Sequence, residues 1–348
     1  MTTVADQYDY VVGVDTHAGT HTYAVLAAGT GRTIDSVRFP ASPAGLSRAL
    51  AWIHRRADGR VLVAIEGTGS YGANLTRALQ AVGIPVCDVR PPKRASRSGR
   101  GKSDEIDAVA AARTALATEV ERLGSPRMDG VRSALRVLLV GRQAMDGRRT
   151  ADRNALTAIL RSFVLGLDVR RPLSDAQVNE IASWRRRAAD DPATATIRGE
   201  ARRLAVSVLA LSEQLEDNHA ALAAHVSELA PALQSIRGVG AVTGAILLAA
   251  YSHKGRVRSE AAFASLAGAA PLQASSGNTT RHRLNRHGDR QLNRALDVIA
   301  RVRMSCDATT KDYIERRTAA GKSRREIRRS LKRYIARQLF RQLSAVLT

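Results

Sequence analysis

"YDYVVGVDTHAGTHTYAVLAAGTGRTIDSVRF", residues 8–39, decides how the first part of the chain folds. It contains three short runs rich in β-branched and aromatic residues, "YDYVVGVD" (8–15), "HTYAVLA" (21–27) and "TIDSVRF" (33–39), with "AGTGR" (28–32) as the turn between the last two. Runs of this length bounded by Gly and Thr predict three consecutive strands. Working outward, the pattern predicts a helix from about Pro43 to Arg55, the strand "VLVAIEG" (61–67), a helix after Ser70 and the short strand "PVCDVR" (85–90). Three strands before the first crossover helix, then strand, helix, strand and helix, predict a mixed sheet flanked by helices.

With 348 residues the chain is long enough for two or three domains that each bury a core. Its 54 Lys and Arg against 32 Asp and Glu leave a formal charge of +22. Such an excess implies a polyanionic partner, because each phosphate neutralised by a cation releases condensed counterions. Nucleic acid is favoured over a lipid surface, since no basic amphipathic anchor with exposed aromatics is present. Aromatic residues make up only 4%, which argues against recognition by base stacking on aromatic platforms. Cys87 and Cys306 are too few and too isolated for a disulfide framework or a zinc site, as expected of a reducing cytosol. No run of eighteen apolar residues occurs, and "MTTVADQYDY" lacks the basic start and apolar centre of a signal peptide. The expectation is a soluble cytoplasmic protein associated with the nucleoid and without membrane partners.

Beyond the predicted sheet, "RPPKRASRSGRGKSDEID" (90–107) reads as a loop running into a helix. Its Lys93, Arg94, Arg97, Arg100 and Lys102 are candidates for phosphate contacts, against the plainer reading of a solvated linker. From Val131 to Leu229 the chain reads as mostly helical. Ile197, Ala201, Leu204, Val208, Leu211, Leu215, Asn218, Leu222, His225 and Leu229 recur at alternating steps of four and three, the seam of a coiled coil. A polar Asn218 on that seam would fix register between partners; the alternative is an antiparallel helical hairpin within one chain. Next, "SIRGVGAVTGAILLAAY" (235–251) places Gly238 and Gly240 before an apolar helix, either as a helix-hairpin-helix element gripping a phosphate or as a tight interhelical turn. A helix over Ser259–Ala267, the loop "PLQASSGNTTRHRLNRHGDR" (271–290), a helix from about Arg290 and a basic tail complete the chain. From Arg301 onward 14 cations face 4 acids.

Asp15 ends the first predicted strand and Glu66 ends "VLVAI". Asp104 and Asp107, three residues apart, share one face of a helix's first turn. Each acid has a plain reading, as a turn residue or as a complement to a helix N-terminus. Jointly, in so basic a chain, four carboxylates on separate rigid elements suit a pair of hard divalent cations around a phosphate.

The segments "VVGVDTHAGTHTYAV" (11–25), "AIEGTGSYG" (64–72) and "KSDEIDAVAAAR" (102–113) resemble the N-terminal domain of the DEDD transposases of the insertion-sequence 110 family. "IRGVGAVTGAILLA" (236–249), "FASLAGAAPLQASSG" (263–277) and "RHRLNRHGDRQLNRAL" (281–296) resemble that family's C-terminal transposase domain. The resemblance implies an α/β RuvC-like domain of ribonuclease H type over 1–128, a helical coiled-coil region over 129–230 and a mainly α transposase domain over 231–348. It implies that Asp15, Glu66, Asp104 and Asp107 hold Mg²⁺, two ions in all, and that Ser276 is the nucleophile. The implied partners are donor and target DNA, a noncoding RNA encoded beside the gene, and further copies of the chain as a dimer that pairs into a tetramer on DNA.

A serine attacking a phosphodiester keeps the bond energy as phosphoserine, so strands can be rejoined without ATP. Arg281, Arg283 and Arg286 would then hold the non-bridging oxygens. Two competing readings remain: a metal-dependent nuclease of junction-resolvase type that uses water, with Ser275 and Ser276 as ordinary loop residues, and a nucleic-acid-binding protein without catalysis.

Overall fold

The computed structural model describes residues 2–89, 103–127, 130–167, 169–273, 282–283, 285 and 288–347. The chain divides into two compact units, Met1–Arg127 and Met128–Thr348.

In the first unit, β1 (Tyr10–Thr16), β2 (Thr20–Ala27) and β3 (Thr33–Pro40) form an antiparallel meander. Then β4 (Val61–Glu66) lies parallel to β1, and β5 (Val86–Val89) parallel to β4, giving the order β3-β2-β1-β4-β5. This is the mixed sheet that the strand runs predict. β1, β2 and β4 read as nearly continuous apolar runs because both faces of the sheet are covered. On one face α2 (Pro43–Arg56) and α3 (Ala73–Ala81) bring Leu46, Trp52, Ile53, Leu75 and Leu79 against Val12, Val14, Tyr23, Val63 and Ile65. α2 starts where Ser42 accepts a hydrogen bond from the Gly45 N–H and Pro43 takes the first helical position.

The opposite face is covered by α4 (Asp104–Leu116) and the short α1 (Val4–Gln7), against Val11, Leu26, Leu62 and Ala64. The Ser103 hydroxyl accepts from the Ile106 N–H and starts α4. Alanines 108, 111, 112 and 115 let its backbone come down onto the sheet. The approach is closest at Gly13, where a Cβ would stand 1.9 Å from the Ala108 carbonyl oxygen and 2.6 Å from the Ala112 nitrogen. Only glycine fits under that turn, and its fit sets the depth at which the first turn of α4 meets the strand ends.

The second unit is helical apart from one two-residue strand pair, among the described residues. α5 (Val131–Ser162) and α7 (Pro192–Leu229), with α6 (Asp175–Ala182) between them, pack as an antiparallel hairpin. The start of α5 meets the end of α7 through Leu135, Leu139, Leu222 and Val226. The end of α5 meets the start of α7 through Leu156, Leu160, Ala201, Leu204 and Val208. Of the two readings of the seam, the hairpin is therefore the one this packing shows: α5 of the same chain fills it. Asn218, buried on the seam, donates to the Leu138 carbonyl at 3.0 Å and accepts from Arg142 at 3.4 Å, so it fixes register within the chain. Near its end the buried seam passes from Leu222 to Val226 rather than to His225, because 3.6 residues per turn drifts from a strict heptad over a long straight helix.

The C-terminal helices α8 (Pro231–Gln234), α9 (Ala241–Tyr251), α10 (Glu260–Leu266), α11 (Arg290–Cys306), α12 (Ala308–Ala319) and α13 (Arg324–Val346) share one core, in which α13 meets α8, α10, α11 and α12, and α9 meets α8 and α11. Leu247, Leu248, Tyr251, Phe263, Leu296, Ile299, Ile335 and Leu339 lie in that core. The basic tail from Arg301 onward thus lies in the end of α11 and in α12 and α13. No helix among the described residues is long and apolar enough to cross a membrane.

Candidate metal centre

Strand alternation and register assemble the candidate site. Residues 11, 13 and 15 of β1 face α4, as do Leu62 and Ala64 of β4, so Glu66 shares their face by the same alternation. Asp15 pairs with Thr22 of β2, and Thr22 with Arg38 of β3, which places Arg38, Thr22 and Asp15 in one row across the sheet; Glu66 follows Ile65, the partner of Val14, and so continues that row by extension of the register. The Thr16 hydroxyl donates to the Glu66 carbonyl at 2.8 Å and ties the end of β1 to the end of β4. Above this row sits the first turn of α4 with Asp104 and Asp107.

Asp15, His17 and Asp104 each bring a possible ligand atom within 4.8 Å of the others. His17 Nε2 lies 3.1 Å from Asp15 Oδ2 and 3.6 Å from Asp104 Oδ1, and Arg38 forms a close ion pair with Asp104. Glu66 and Asp107 stand outside that three-residue group, although Asp107 is near enough to act on Asp15. Burial pushes the Asp15 carboxyl above the ordinary aspartate range; the charge of His17 opposes this, while those of Asp107 and Asp104 add to it. A buried carboxylate with two further acids acting on it forms a site that a hard cation relieves. In the same row the Thr22 hydroxyl oxygen is buried and has no hydrogen-bond partner. Two carboxylates, one imidazole and an orphaned hydroxyl in the same row could together serve a divalent metal ion.

His17 and Arg38 are additions that the sequence reading did not make. His17 carried a signal, since "DTH" puts it two residues after Asp15 and so on the same side of an extended chain. Arg38 carried none, because only the β2–β3 register brings it to the site. Of the other predicted contact residues, Gly238, Gly240 and Arg283 are described. Gly238 adopts φ +88° and a Cβ there would press on the Ile299 backbone at 3.1–3.2 Å, so a turn packed on α11 accounts for this glycine. The Gly240 N–H is donated to Thr243 Oγ1 at 2.9 Å. β6 (Leu272–Gln273) pairs with β7 (His282–Arg283), in the register Leu272↔Arg283, so the serine segment connects two paired strands. Arg283 is exposed there. Ser275, Ser276, Lys93, Arg94, Arg97, Arg100, Lys102, Arg281 and Arg286 lie outside the described residues.

Two family models match the chain. One, described as a transposase and drawn from the DEDD proteins of the IS110 group, covers residues 12–164 and so contains the acids of the candidate centre. The other, the transposase IS116/IS110/IS902 family, covers residues 230–315. The chain belongs to the IS110 transposase family. Among curated relatives of the family, an "Insertion element IS110 uncharacterized 43.6 kDa protein" of Streptomyces coelicolor is 37% identical over 137 residues. That match takes in 38% of this chain and 33% of the relative, so the chain spans about a third of that relative's length.

Proposed function

We propose that this protein is the transposase of an insertion sequence, a recombinase that cuts and rejoins DNA at a centre built on Asp15, Glu66, Asp104 and Asp107. The observation that carries the reading is the meeting of strand-end and helix-start carboxylates on one sheet face, within a chain of net charge +22. The order β3-β2-β1-β4-β5, with an acid at the end of the central strand, supports a ribonuclease H type, RuvC-like reading of the first domain. On this reading residues 1–128 are the acidic domain, 129–230 a helical spacer and 231–348 the domain that supplies the nucleophile.

Asp15 and Asp104, with Glu66 and Asp107, would hold magnesium, which supplies charge to a phosphate and polarises it towards attack. Arg38 and His17 hold the Asp104 carboxylate over the sheet. Ser276 Oγ forms a bond to phosphorus as the bond from phosphorus to the leaving strand's sugar oxygen breaks. The serine proton is given up, and the leaving oxygen gains one. One phosphodiester is exchanged for another, so rejoining needs no ATP. Arg281, Arg283 and Arg286 hold the non-bridging oxygens during that exchange. An RNA encoded beside the gene supplies sequence choice by base pairing, and copies of the chain assemble as a dimer that pairs into a tetramer on DNA.

The test is a search for DNA covalently bound to protein after incubation with supercoiled DNA, the flanking noncoding RNA and Mg²⁺. Ser276→Ala should abolish the adduct and Ser275→Ala should retain it. An adduct that survives Ser276→Ala removes the nucleophile; cleavage without any adduct in the wild type favours the junction-resolvase reading, in which water attacks.

A further inference from the structure

The tip of the helical hairpin, where α6 turns into α7, carries a groove of about 780 Å³. It belongs to the stretch between the two family matches, which end at residue 164 and resume at residue 230. Trp184, Arg185, Arg186, Arg198, Gly199 and Arg202 are among its lining residues. One wall is a finished structural element. The Arg198 guanidinium lies 4.9 Å from the Trp184 ring centroid and donates to Asp190 at 2.9 Å, with both side chains of the ion pair buried. Its charge is therefore paired with Asp190, although its buried Nη1 has no hydrogen-bond partner.

The other cations are not cancelled. Arg185, Arg186 and Arg202 are exposed, and none makes an ion pair among the described residues. Of the acids close in sequence, Glu200 pairs with Arg203, Asp175 with Arg153, and Asp191 caps the start of α7. The groove also holds a helical glycine, a feature that α5 shares at Gly141 and Gly147. Gly199 sits inside a helix of 38 residues, where glycine costs about 1 kcal/mol relative to alanine. A Cβ added there meets nothing within 4 Å, so no packing within the chain requires it. Gly199 is exposed among the lining residues, so a side chain there would project into open space on the groove's side of α7.

We propose that this groove is a second nucleic-acid site, which seats a phosphodiester backbone on Arg185, Arg186 and Arg202. Contacts of this kind carry no base information, so the site positions bound nucleic acid rather than choosing its sequence. It goes beyond the strand-exchange reading and does not depend on it.

The experiment measures binding of the full chain to a short labelled single-stranded RNA and to a short DNA duplex, by fluorescence anisotropy in EDTA over a range of salt. EDTA separates the outcome from cleavage, so failure here leaves the covalent-adduct test untouched. The combined Arg185→Gln, Arg186→Gln, Arg202→Gln variant should bind about tenfold more weakly. Its log–log salt slope should be shallower by about 2 to 3 on duplex, near 0.9 per lost phosphate contact. Gly199→Leu, which fills the groove on an exposed helix face, should weaken binding severalfold without changing the slope. A loss with RNA alone, DNA alone or both supports the site and says which backbone it holds. Affinity and slope equal to the wild type with both ligands overturn the proposal, and so does a Gly199→Leu variant that binds as tightly as the wild type.

Discussion

On the proposed reading, Asp15 is the residue on which the first unit's chemistry turns. Its position follows from two local facts, an apolar strand that ends in an acid and a glycine two residues earlier over which α4 can lie. Burial raises its pKa, which means that the charged form is held at a cost in the metal-free protein. A cation that binds there should stabilise the fold by mass action, by about 2.7 kcal/mol at a hundred times its dissociation constant. Thermal unfolding checks this: Mg²⁺ should raise the midpoint of the wild type and leave that of Asp15→Asn, Asp104→Asn unchanged. An equal rise in both would show that the ion binds elsewhere. At this scale the sequence was informative where the chain itself juxtaposes groups. Strand ends marked Asp15 and Glu66, and a capped helix start marked Asp104 and Asp107. Arg38 was not legible, because a register set by side-chain packing, and not by any local signal, brings it 66 residues along the chain to Asp104.

Elements explain which readings could be made and which stayed open. The mixed sheet could be predicted because three strands precede the first crossover, whereas its order β3-β2-β1-β4-β5 is set by the pairing itself, and the close seat of α4 makes a sharp test of the arrangement. Gly13→Ala would drive a methyl into the Ala108 carbonyl, so we expect a loss of about 1–3 kcal/mol in urea unfolding together with a weaker Mg²⁺ response. The seam of α7 was legible as a stripe but silent about its partner, since a heptad pattern looks the same whether the facing helix comes from another copy or from α5. Asn218 separates the two. Removing it leaves the Leu138 carbonyl and Arg142 short of a partner, so Asn218→Ala should cost about 1–3 kcal/mol with no change in solution mass. A change in mass with little loss of stability would return the seam to an interface between copies. Between α10 and α13, Glu260 accepts from Arg337 at 2.7 Å and from Arg341, and these bonds hold its carboxyl below the usual glutamate range. A lowered acid contributes stability above its unfolded pKa and loses it as pH falls through its folded value. Glu260→Gln should therefore melt lower than the wild type at neutral pH, and the two curves should converge well below pH of about 4.

For the whole molecule, the charge of +22 and the two family matches point to the same kind of partner from independent directions. The four acids fall in the first match, and the segment carrying Ser276 falls in the second. On the proposed reading the chemistry needs both, whether one chain folds back on itself or one copy's acids meet another copy's serine. The most direct measurement is formation of the protein–DNA adduct by purified full-length protein with supercoiled DNA, the flanking RNA and Mg²⁺, comparing the wild type with Asp15→Asn, Asp104→Asn. The account predicts an adduct in the wild type that EDTA abolishes, and none in the double variant although it stays folded and still binds DNA. An adduct formed equally well by the double variant would contradict it.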